Sequence, residues 1–187
     1  MSLHPVALAA CKPQPWRNGG GQTRELLVWP PHSVGDTWEL RVSVADIERS
    51  GPFSAFPGVE RWFAVLEGTG VRLSLAQGER TLGPDDEPLH FPGEDRPHCH
   101  LLGDPSRDLN LMLRRDAGSG GMKRARRGEA IEGPTRWRGL YTADAVRLEV
   151  DGVAEPLAAG TLVWTESQDA TVWRLLDAGR AWWMTLE

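Results

Sequence analysis

Several residue types are scarce in this sequence. Two cysteines, Cys11 and Cys99, stand among 187 residues. That is too few for a disulfide framework, so a reducing cytoplasm is the expected setting. Long apolar runs are missing: the longest near the start, Val6 to Ala10, has no basic residue ahead of it. It is too short for the apolar region of a signal peptide or for a membrane span. Positive charge is not in excess. A net charge of −5 removes general attraction to nucleic acid and to anionic membrane surfaces, and neither is expected as a partner. Tyrosine occurs once and phenylalanine four times, so tryptophan, with nine copies, dominates the aromatics. Glycine and proline are plentiful instead, 21 and 14 residues respectively. Both interrupt helix interiors, which excludes a helical bundle. The length fits one domain or two small fused ones.

Apolar–polar alternation is the recurring signal, and it predicts short strands. Trp38, Leu40, Val42 and Val44 share one face, with Glu39, Arg41, Ser43 and Ala45 on the other. Leu109, Leu111 and Leu113 oppose Asp108, Asn110, Met112 and Arg114, and Val71, Leu73 and Leu75 alternate with Arg72 and Ser74. Arg61 to Glu67 is mixed, and weaker strands are expected over 146–150, 161–165, 171–176 and 181–186. Turn signals such as Ser50-Gly51-Pro52, Phe56-Pro57-Gly58 and Phe91-Pro92-Gly93 separate them. The run Ala117-Gly118-Ser119-Gly120-Gly121 is the best candidate for an internal linker. An all-β sandwich or barrel follows.

Four blocks in order resemble the HutD/Ves family of the cupin superfamily. They are Pro15 to Glu25 (PWRNGGGQTRE), Arg41 to Ala45 with Gly51 to Arg61, Leu66-Glu67-Gly68, and Asp108 to Arg115. The resemblance covers roughly residues 13 to 115. It implies a cupin-like (RmlC-like) jelly-roll barrel, with two cupin-like halves in one chain: residues 1–117 carrying the family motifs and 118–187 a second, smaller half. It also implies a setting in bacterial histidine utilisation, with a formylated glutamate as a considered ligand and no firmly assigned reaction.

Cupins often hold a divalent metal through a His-x-His, a following Glu and a later His. Where that His-x-His would stand, this sequence has Phe53, Ser54 and Ala55, which leaves Glu60 without histidine partners. His98 and His100 imitate the motif, but they fall where the second cupin motif is expected and read as outward polar residues of a strand. Cys99 then faces inward and packs. No metal and no cofactor are expected.

Recognition then falls to side chains. The alternating strands offer Arg41 with Ser43, Arg61, and Asp108 with Asn110. Arginine's planar fork matches a carboxylate, while Asn and Ser serve amide or formyl groups. Alternation alone does not say which face points into a barrel; half-exposed strands turn polar residues to water. The family resemblance decides for the inside, because Arg41, Ser43, Arg61 and Asn110 lie within its blocks and Met112 shares Asn110's face. Asn18, Thr23 and Glu25 join them as secondary site residues of the opening block. Its three glycines favour a tight turn into a strand over an anion-binding nest. Glu60, Glu67 and Asp108 are available acids, and surface pairing is their commoner use. The basic run Lys123 to Arg127 reads as a solvated loop. The expectation is a cytoplasmic, metal-free binding protein for a small carboxylated metabolite, N-formylglutamate among the candidates, regulating histidine or amino-acid catabolism. The alternative is a cupin enzyme acting on a small carboxylate-containing substrate. A homodimer stays compatible with the sequence.

Overall fold

Backbone N–H and C=O groups in a chain without long helices must pair between strands, and they do so here almost throughout. The structure, a computed structural model, describes residues 2–33, 35, 37–167 and 171–187. The strands are β1 (His4–Ala7), β2 (Pro13–Pro15), β3 (Gly21–Trp29), β4 (Leu40–Ile47), β5 (Gly51–Pro52), β6 (Val59–Glu67), β7 (Val71–Leu75), β8 (Gly78–Leu82), β9 (Leu89–Pro92), β10 (His98–Leu101) and β11 (Ser106–Arg114). They continue with β12 (Gly120–Arg124), β13 (Ala130–Ile131), β14 (Thr135–Thr142), β15 (Val146–Val150), β16 (Val153–Leu157), β17 (Thr161–Ser167), β18 (Trp173–Leu175) and β19 (Ala181–Leu186). A single 3₁₀ turn, Leu8–Ala10, is the one helical element among the described residues, and no helix is long and apolar enough to cross a membrane.

Two units divide the chain: Cys11–Ala117, and Met1–Ala10 joined to Gly118–Glu187. The expected first half, 1–117, therefore loses its first ten residues. The cause is antiparallel pairing of β1 with β17, in which Val6 lies opposite Leu162. The expected linker is also shorter than Ala117 to Gly121. Gly120 and Gly121 open β12 and pair with Leu186 and Thr185, so the glycines enter a sheet instead of spanning solvent.

The Cys11–Ala117 unit holds a six-stranded sheet in the order β2-β3-β4-β11-β6-β9 and a four-stranded sheet β5-β10-β7-β8. Ile47, Phe63, Val65, Val71, Leu73, Phe91 and Cys99 pack into one buried cluster. Burying each large apolar side chain contributes about 1.5–3 kcal/mol. The other unit has a five-stranded sheet β1-β17-β14-β19-β12 and a four-stranded sheet β13-β18-β15-β16. Its core includes Leu140, Leu148, Val163, Trp173, Leu175 and Trp183; Trp137, Trp164 and Trp182 are buried in the same unit. Its central strand β14 carries no legible alternation because Arg138 and Gly139 interrupt it. Arg138 is 1% exposed. It donates to the Thr171 carbonyl at 2.7 Å and to the Gly133 carbonyl, and its guanidinium lies 6.0 Å from the Trp173 ring centre. Trp62 is only half-buried and stacks on the exposed His90 ring at 4.3 Å.

Candidate functional site

Register in the six-stranded sheet decides what meets what. Side chains alternate across a strand, so residues opposite one another share a face. Across β3, β4, β11 and β6 one row holds Thr23, Ala45, Asp108 and Val65, and the next holds Glu25, Ser43, Asn110 and Phe63. A third row holds Arg41, Met112 and Arg61. That face lines a cavity of about 790 Å³, within the range of small-molecule pockets. Gln14 to Asn18, Pro52 to Ser54, Phe56 and Arg96 complete the wall.

Of the residues expected at a site, Arg41, Ser43, Arg61, Asn110, Met112, Asn18 and Thr23 all line this cavity. Glu25 does not line it; its carboxylate accepts from Arg41 Nε at 2.8 Å and fixes that guanidinium. The glycine block forms a turn whose N–H groups are already engaged. Gly19 N–H donates to the Trp16 carbonyl and Gly20 N–H to Asn18 Oδ1, both at 2.9 Å. Gly21 enters β3 so close to its neighbour that a Cβ would stand 2.2 Å from the Asp46 carbonyl oxygen. Thr23 accepts the Trp16 indole N–H at 2.8 Å, which orients both side chains.

Arg61 is the unusual group. It is 4% exposed, yet no carboxylate among the described residues lies within ion-pairing distance of it. Its Nη2 donates to Asn110 Oδ1 at 3.0 Å, its Nη1 reaches the Ser54 carbonyl at 3.5 Å, and its buried Nε has no partner. Phe53, Phe56 and Phe91 surround the guanidinium, with ring centres 5.1 to 5.5 Å away. Such contacts stabilise a cation without neutralising it. Burial pulls Arg61 down to about 10, with Asp108 pulling the other way and Arg41 adding to the fall. It still carries its charge at neutral pH.

Asn110 links Arg61 to Asp108, donating Nδ2–H to the Asp108 carboxyl. Asp108 is 1% exposed. Burial pushes its carboxyl up to about 8; Arg61 and the Asn110 hydrogen bond oppose the rise and Asp46 adds to it. At pH 7 the group is mostly the neutral acid, able to donate a hydrogen bond. The lining thus holds four arginines and one neutral aspartic acid.

Other candidate acids and histidines lie apart. Glu60 is held below the usual carboxylate range, burial notwithstanding, by hydrogen bonds from Arg115 and His90, and Glu67 pairs with Arg107. His98 is exposed and His100 half-buried, their rings 4.3 Å apart. Cys99 between them is fully buried, and burial, then the Asp108 charge, push its thiol up to about 12. Among the described residues no three His, Cys, Asp or Glu side chains converge, so the donor set does not fit the divalent metal that many cupins hold. Lys123 pairs with Glu129 at 2.6 Å on the end of β12, where a loop was expected.

Trp16, Phe53, Phe56 and Ser54 were legible only as parts of family blocks, and Asp108 as Asn110's neighbour on one face and one of several available acids. Arg17 stands in a turn and Arg96 in the irregular stretch leading into β10, where no periodicity marks them.

The HutD family profile matches residues 8–183. An uncharacterized 21.2 kDa protein in the hutC 3′ region of Pseudomonas putida is 44% identical over 99 residues, which are 52% of this chain and 51% of that protein. The protein Ves of Citrobacter koseri is 41% identical over 102 residues, 54% of this chain and 52% of its own. The matched segment spans about half the length of these curated relatives. Among solved structures, a conserved protein of unknown function from Pseudomonas aeruginosa PAO1 superposes with a TM-score of 0.87 at 29% identity, covering 99% of this chain and 97% of that one. HutD from Pseudomonas fluorescens SBW25 gives 0.86 at 24% identity, covering 98% and 97%. Oxalate decarboxylase of Bacillus subtilis gives 0.65 at 9% identity, covering 97% and 76%. The fold is all-β and cupin-like.

Proposed function

Because this chain belongs to the HutD family, we propose that it is a cupin-type binding protein for a small carboxylated metabolite, with N-formylglutamate the first candidate, and that binding regulates histidine or amino-acid catabolism in the cytoplasm. Arg61 carries this reading. A guanidinium that is buried without a counterion, at the wall of a cavity of ligand size, is an incomplete pair. A carboxylate arriving from solvent completes it and gains charge-assisted, forked hydrogen bonds in a low-dielectric setting. Asn110, Ser43 and neutral Asp108 supply the donors and acceptors that an acyl-amide requires. The hutC 3′ region in the name of the Pseudomonas putida relative agrees with a histidine-utilisation setting.

Calorimetric titration with N-formylglutamate, glutamate and glutarate tests it. At least one acid should bind, and Arg61→Gln should weaken that acid about 30-fold or more, as expected for losing one side of a buried charge pair. No binding of any acid, or affinity unchanged in Arg61→Gln, overturns it. Asp108 favours a second reading, an enzyme acting on the same kind of acid, because a neutral carboxyl at a cavity wall is a proton donor. Recovery of the acid unchanged after prolonged incubation supports binding alone; stoichiometric conversion selects the enzyme.

A further inference from the structure

We infer that Arg17 and Arg96 form an outer anion clamp, and that the cavity therefore takes a dicarboxylic acid, one carboxylate on Arg61 and the other between these two arginines. This rests on the proposed binding function and adds the class and orientation of the ligand. Both residues line the same cavity as Arg61 and are exposed, which places them at its mouth. Their guanidinium groups have neither a hydrogen bond nor an ion pair among the described residues. By contrast, Arg41 in the same wall is matched by Glu25.

The backbones beneath the two free groups are held. Arg17 follows Trp16, whose N–H and carbonyl are tied to Gly21 and Gly19. Arg96 lies between two anchors. Glu94 accepts the Gly58 N–H at 2.8 Å and is gripped by Arg115, and the Pro97 carbonyl accepts the Phe53 N–H at 3.0 Å. Fixed attachment points lower the ordering cost of closing on a ligand.

Charge points the same way. The chain carries a net charge of −5, yet this wall holds four arginines against one aspartate that burial keeps largely neutral. After Arg41 is matched by Glu25, one buried and two exposed cations remain. Such a concave, one-signed surface draws anions in and rewards a second negative group at the entrance.

The test compares acids with their monoamides: N-formylglutamate against N-formylglutamine, and glutarate against glutaramate, titrated into wild type, the double variant R17Q/R96Q, and Arg61→Gln. Wild type should prefer the dicarboxylate over its monoamide by about tenfold. In R17Q/R96Q that preference should disappear, dicarboxylate affinity falling about tenfold further than monoamide affinity, with a flatter dependence on salt. A preference retained in the double variant, or absent from wild type, overturns the clamp. If acid and monoamide bind equally and Arg61→Gln abolishes both, the binding function stands and the clamp falls. If nothing binds to wild type, both fall.

Discussion

Replacing Asp108 by Asn keeps the shape and the hydrogen bond to Asn110 while removing the proton equilibrium. In the folded protein the carboxyl rises from its ordinary 3.8 to about 8, chiefly through burial. The unfolded chain therefore releases this proton near pH 4 and the folded chain near pH 8. Between those limits the native state binds more protons, so stability falls as pH rises, opposite to the usual behaviour of an ion-paired carboxylate. The slope is about 1.4 kcal/mol per pH unit at most. Measured by urea unfolding at intervals from pH 5 to pH 9, the gap between Asp108→Asn and wild type should shift by about 4 kcal/mol in favour of the variant, flattening above pH 8. Groups titrating elsewhere cancel in the difference. Parallel pH profiles would refute the reasoning: Asp108 would then be ionised in the fold at pH 5 and serve as the counterion of Arg61. The cavity would lose its uncompensated charge, and the case for an acid ligand would go with it.

Two further outcomes test the geometry. A methyl group at Gly93 would meet the carbonyl oxygens of Phe56 at 2.3 Å and Val59 at 2.8 Å. Both segments are tied to Gly93 through the backbone: the Val59 oxygen accepts the Gly93 N–H and the Phe56 N–H donates to the Gly93 carbonyl, each at 2.7 Å. Gly93→Ala should therefore cost about 1–3 kcal/mol in denaturation and weaken acid binding by displacing Phe56; an unchanged unfolding midpoint would contradict this packing. Iodoacetamide at pH 8 should label half-buried Cys11 in the native protein and spare Cys99, whose thiol is buried and pushed up to about 12. Peptide mass spectrometry reads the result, and native labelling of Cys99 would show that its cluster opens.

Strands with one apolar face were readable almost to the residue: Val71–Leu75 and Val146–Val150 begin and end where alternation places them. Polar edges were not. Pro13–Pro15 and Gly78–Leu82 bury almost nothing, so no pattern had to be written into them. β14 hid for the opposite reason, a buried arginine satisfied by carbonyl oxygens. In β11 both faces are buried, and its polar face proves to be the wall of a cavity, which alternation alone does not distinguish from a wet surface. Arg41, Ser43, Arg61, Asn110 and Met112 come together through cross-strand register, a property of pairing between distant segments. Glu25 shares the register and is used up by Arg41, while Arg17 and Arg96 depend on connecting segments whose course only the folded chain reveals.

The pairing of β1 with β17 carries a consequence for synthesis. His4 must wait for Trp164 and Ala7 for Thr161, so β1 leaves the ribosome long before the strand it pairs with. The Cys11–Ala117 unit needs nothing beyond its own strands to complete its two sheets, and its arginine-lined cavity can be assembled while β17 is still untranslated. Pairings of such long range close slowly because loop entropy must be overcome before contacts reward it. Until then β17 presents an open sheet edge where β1 will dock, and that edge is where a nascent or partly folded copy is most exposed to pairing with the wrong chain.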